Sequence, residues 1–84
     1  MNSLLLAIEL KGVYALSAAI AIGLAATAGA IGMAIVIAKA LDAIARQPEA
    51  EGKIKSGLIL GLVFIETAII YALIISILIV INVL

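Results

Sequence analysis

The chain is predicted to be an all-α membrane protein built as a two-helix transmembrane hairpin. Three observations carry that expectation. Of 84 residues, 68% are hydrophobic and only 12% are charged, with a mean hydropathy of +1.48. The charges are segregated: Gly12 to Ala38 has none, Gly57 to Leu84 has only Glu66, and seven fall between Lys39 and Ser56. The two apolar stretches also differ in side-chain size. A water-soluble chain of this length buries about 60% of the surface its unfolded form exposes, so most of these apolar side chains would face water. A soluble monomer is thereby excluded.

Composition excludes several chemistries as well. There is no Cys and no His, which removes disulfides, thiolate metal sites, Cys nucleophiles and imidazole acid–base chemistry. Five basic and five acidic residues give a net charge of zero, so no basic footprint for nucleic acid is present. No Gly-rich phosphate loop with its Lys occurs, so the chain is not expected to bind nucleotide.

In chain order, one hairpin domain over 1–84 is expected. Helix 1 is placed at about 10–44, a polar loop at about 45–52 and helix 2 at about 53–83. Each apolar stretch exceeds the roughly 20 residues that span a bilayer core. The first stretch is too long, and lacks a basic leading region, for a cleaved signal peptide. Pro48 ends helix 1 and disfavours helical backbone at Gln47. Lys39, Arg46, Lys53 and Lys55 flank the loop, against Lys11 alone at the opposite side. The positive-inside rule then puts the loop in the cytoplasm and both termini outside.

Helix 1 carries ten Ala and four Gly between Gly12 and Ala38. Ala26, Ala30, Ala34 and Ala38 recur every four residues, as do Ala21, Ala25 and Gly29. Helix 2 carries nine Ile and six Leu between Gly57 and Leu84. Small side chains let helix backbones approach closely in lipid. A ring of hairpins explains the asymmetry, with small residues on a short inner circumference and large ones outside. An ordinary dimer through the small-residue face is the alternative that composition leaves open.

Glu66 is the candidate for chemistry. A charged side chain at the centre of a membrane helix costs roughly 2.5–3.5 kcal/mol on insertion scales. No Lys, Arg or His lies within either apolar stretch to neutralise it. Glu66 is therefore expected to be protonated or cation-bound, as a reversible ion carrier or as a structural hydrogen-bonding group. Thr67 offers a hydroxyl beside it and Tyr71 a phenol about one turn on; a bond from Thr67 to its own helix and simple packing by Tyr71 are the alternatives. Gly29 to Ala34 should lie level with Glu66.

With Arg46-Gln47-Pro48-Glu49-Ala50 between two apolar helices and a lone Glu in the second, the chain resembles the c-ring proteolipid, the c subunit of the F-type rotary ATP synthase. Phe64-Ile65-Glu66-Thr67 and the later Tyr71 resemble that family's ion-site stretch. The resemblance spans essentially the whole chain. It implies a homo-oligomeric c-ring with helix 1 inside and helix 2 outside, in a bacterial plasma membrane. It implies ion carriage on Glu66, with Thr67, Tyr71 and the Phe64 backbone at the ion site. The neighbouring a subunit supplies half-channels and a counter-charged Arg, and Arg46, Gln47 and Pro48 contact the gamma and epsilon stalk subunits. Membrane lipid surrounds the ring. No cofactor and no catalytic site of its own are implied, only transported ions.

Two departures from the family pattern bear on function. Where many members place a glycine at every second position of helix 1 for ring packing, this chain has Ala26, Ala28, Ala30 and Gly32. Where sodium-binding members place a Gln ligand, it has Met33. Sodium prefers oxygen ligands, so protons are the favoured coupling ion. Thr67 and Tyr71 match the sodium pattern, which keeps a sodium-coupled ring as the alternative. A small ion-coupled transporter is a more distant reading, since two spans are fewer than such proteins use.

Overall fold

The computed structural model describes residues 2–83 as two antiparallel helices joined by a tight connection. Helix α1 spans Asn2–Arg46, a 3-10 turn spans Pro48–Ala50, and α2 spans Glu51–Val83. Both helices run longer than the spans proposed from sequence. Helix α1 begins at Asn2 rather than near residue 10, and helix resumes at Pro48 within the stretch assigned to the loop.

Pro48 accounts for the brevity of the connection. Gln47 before it sits at φ −134°, ψ 73°, out of the helical region, as a residue preceding proline tends to be. The Gln47 N–H still closes the last turn of α1 on the Ala43 carbonyl at 2.8 Å, and the Ala50 N–H donates to the Gln47 carbonyl at 2.9 Å. Pro48 occupies the first turn of the next element, where its missing N–H costs nothing. Glu51 in the first turn of α2 and Arg46 in the last turn of α1 each have the sign that complements their helix dipole.

The register is set by two contacts. The Ser76 hydroxyl donates to the Ala18 carbonyl at 3.0 Å, and Gly29 packs against Ile65 and Ile69. Half-buried and buried positions then recur every three or four residues along each helix. The seam runs through Ala18, Ile22, Ala25, Gly29, Val36 and Ala40 on α1, and Ile54, Leu58, Ile65, Ile69, Ala72 and Ser76 on α2. This spacing is the one that keeps a helix face toward its partner. Ile79 is half-buried and lines a small cleft with Tyr14 and Asn82, because it continues the Ala72–Ser76 side of α2.

The same register aligns the polar boundaries. Lys11 lies level with Asn82, and Lys39 with Lys55, so both apolar stretches share one slab. Its height is about 42 Å at 1.5 Å per residue, beyond the roughly 30 Å hydrocarbon core, and tilt accommodates such an excess. Among the described residues only Ala18, Ala40 and Ser76 are buried. Large apolar side chains from Leu4 to Ile81 are exposed. A lone hairpin thus has a seam but little core, and most of its large apolar side chains are left uncovered.

Candidate ion-carrying site

Glu66 lies near the middle of α2, inside the apolar slab. The helix around it is regular because its neighbours are apolar and the chain has no Pro beyond Pro48. Ile65 and Ile69 turn inward against Gly29. One residue on from Ile65, at about 100° per residue, Glu66 leaves the seam and emerges on a flank of the hairpin, where it is exposed. Gly29 lies level with it, at the edge of the expected Gly29–Ala34 window. Among the described residues, no hydrogen bond or ion pair engages the Glu66 side chain.

The other proposed site residues are not gathered around Glu66 within one hairpin. Phe64 precedes it by about 200° and Tyr71 follows by about 140° around the helix, so both project toward the opposite flank. Phe64 is 68% and Tyr71 63% exposed. The Thr67 hydroxyl donates to the Val63 carbonyl at 2.8 Å, the back-bond within the helix that competes with an ion-site role. That bond uses the hydroxyl proton and leaves oxygen lone pairs available. On α1, Gly32 and Met33 are half-buried while Ala28 and Ala30 are exposed, so the small residues proposed for ring packing do not share one environment. Ala26 lies half-buried beside the seam.

At the polar end, Arg46 pairs with Asp42 at 3.3 Å and Lys55 with Glu51 at 2.9 Å. Both pairs are exposed and sit one helical turn apart, where such bridges contribute about 0.3–0.5 kcal/mol. Gln47 and Pro48 are exposed at the apex.

Ser76 is the polar residue that sequence reasoning missed. It is 6% exposed, in contact with Ala18 at 3%. The available signal was its spacing: Ser76 follows Ile65, Ile69 and Ala72 on one helical face. A groove of about 410 Å3 opens beside it, lined by Ala15, Ala19, Ile22, Leu73, Ile77 and Val80 among others.

A family model that describes the ATP synthase C subunit matches residues 16–79, which include the seam, the apex and Glu66. The chain belongs to the ATP synthase c-subunit family. It is 52% identical to the ATP synthase c subunit of Gloeobacter violaceus over 62 residues, covering 74% of this chain and 76% of the relative. The chloroplastic ATP synthase c subunit of Emiliania huxleyi is 44% identical over 66 residues, covering 79% and 80%. One from Cyanothece is 47% identical over 68 residues, covering 81% and 83%. As a member of this family, the chain is a membrane protein of the rotor c-ring of an ATP synthase. The all-helical hairpin agrees with this membership, and so do its two apolar spans. Residues 2–15, including Leu4, Leu5, Leu6 and Ile8, precede the matched segment.

Proposed function

We propose that Glu66 is the ion carrier of this rotor protein and that its coupling ion is the proton. The single observation that supports this reading is an acidic side chain at mid-slab, exposed on the hairpin flank and without a partner among the described residues. In lipid such a group is tolerated when neutral. When ionised it needs a counter-charge, and neither apolar stretch of this chain contains a basic residue. Alternation between those states, with an Arg of the a subunit as the transient counter-charge, converts ion entry and exit into stepwise movement. The membrane potential contributes about 2.3 kcal/mol per elementary charge per 100 mV. Each ion taken up advances the ring by one hairpin.

The flank geometry supports a site completed between copies. Identical hairpins packed head to tail close into a ring. Such packing sets the Glu66 flank of one copy against the Phe64–Tyr71 flank of the next. Thr67 then offers its oxygen lone pairs near that boundary. Met33 supplies only a soft thioether, whereas hard cations take oxygen ligands, and this favours protons over sodium. The basic residues around the apex favour a cytoplasmic loop, with both termini outside, in a bacterial plasma membrane. Arg46, Gln47 and Pro48 at that apex are the proposed contacts for the gamma and epsilon stalk subunits.

The coupling ion is tested by carbodiimide labelling of Glu66 in the purified ring. Carbodiimides attack the protonated carboxyl, so labelling should fall as pH rises. At fixed pH, millimolar sodium should protect little, and Met33→Gln should strengthen protection. Strong protection of the unmodified ring by sodium but not by potassium would replace the proton with sodium as the coupling ion.

A further inference from the structure

The chain has seven glycines, and one of them is held by the fold rather than merely accommodated. A Cβ added at Gly12, Gly23, Gly52, Gly57 or Gly61 would meet nothing within 4 Å, and at Gly32 only Ile65 Cδ1 at 3.8 Å. At Gly29 the added carbon would overlap Ile69 Cδ1, lie 2.9 Å from Ile69 Cγ1 and lie 3.4 Å from Ile65 Cγ2. Ile69 Cδ1 can swing aside about χ2. Its Cγ1 is fixed by χ1, which is stiff in a β-branched residue on a helix. Relief therefore requires that the two helices separate locally.

Ile65 and Ile69 bracket Glu66. The residue that meets them across the seam thus determines how far the Glu66 turn stands out from α1. Thr67 ties the same turn to Val63, so the turn moves as a unit rather than fraying. We infer that Gly29 is a positioning residue for the ion carrier: its missing side chain sets the depth at which Glu66 sits on the hairpin flank. This inference rests on the reading of Glu66 as the carrier. It assigns Gly29 no contact with the ion.

The test uses mixed rings, in which a minority of Gly29→Ala chains is coexpressed with unaltered chain so that assembly does not depend on the variant. The added methylene separates the two species by mass. Carbodiimide labelling of Glu66 is then followed for each species within the same rings. Outward displacement exposes the carboxyl to a hydrophobic reagent, so variant chains should label about threefold faster or more, as expected where overpacking shifts backbone. The double variant Gly29→Ala with Ile69→Ala removes the colliding atoms and should return to the unaltered rate. Gly12→Ala should show no change.

Equal or slower labelling of the Gly29→Ala species, or no rescue in the double variant, overturns the inference. Failure of unaltered chains to label at all would instead overturn the carrier reading of Glu66. In homogeneous Gly29→Ala rings that assemble, ion-driven ATP synthesis should fall about tenfold, since small misplacements at a reacting group are costly. A full synthesis rate in such rings would also overturn the inference.

Discussion

The two helices solve different problems with opposite side chains. Helix α1 is coated with Ala and Gly, and its small residues lie on the seam and on both exposed flanks. Helix α2 is coated with Ile and Leu; Ile54, Leu58, Ile65 and Ile69 line the seam, and most of the remaining bulk is exposed. The difference shows that a single packing face does not explain α1. Its seam needs small residues at Ala18, Ala25 and Gly29, yet Ala28 and Ala30 are also small and stand exposed on either side of it. Small exposed residues are suited to close approach by neighbouring backbones, and large exposed residues are suited to lipid.

The comparison is sharpened most by removing the one acid within the apolar stretch of α2. Glu66→Gln keeps shape and hydrogen-bonding capacity but cannot release a proton. Rings should assemble and ion-driven ATP synthesis should be lost entirely; measurable synthesis in a pure Glu66→Gln ring would refute the carrier assignment.

The next largest effect should come from adding bulk to the outer surface of α1. Overpacking costs about 1–3 kcal/mol per site, repeated in every copy. Ala30→Leu should abolish the detergent-resistant ring on a gel, whereas Ile81→Leu on exposed α2 should leave it intact. Equal outcomes would erase the distinction between the helices. Ile79 is unsuitable as that control, because it packs beside Tyr14.

Ser76→Ala should have a smaller effect. It removes the bond to Ala18, and interhelical hydrogen bonds in membranes average about 0.6 kcal/mol. The ring should form and dissociate at a slightly lower temperature, read by thermal conversion to monomer. No shift would mean that apolar packing alone sets the register.

The smallest effect is expected at the polar end. Glu51→Gln removes the bridge to Lys55, worth about 0.3–0.5 kcal/mol, and the thermal dissociation of the ring should barely move. A large loss would show that Glu51 contacts something beyond its own helix.

The reach of the sequence differs between the same two helices. For α2, the boundary at Pro48, the apolar length and the position of Glu66 are linear properties of the chain, because hydropathy and charge act on each residue wherever its neighbours stand. The two spans, the polar apex and the one intramembrane acid were therefore legible before any coordinates. For α1, a stripe of small residues announces close packing without saying which residue meets which partner.

Only the tertiary structure decided those pairings. The antiparallel register puts Ser76 on Ala18 and Gly29 between Ile65 and Ile69. It sends Glu66 to one flank and Tyr71 to the other. The physical reason is that facing and register follow from how two side-chain surfaces interlock over many turns. Composition determines that the helices span and pack, whereas the choice of seam among several nearly equivalent small-residue faces belongs to the pair.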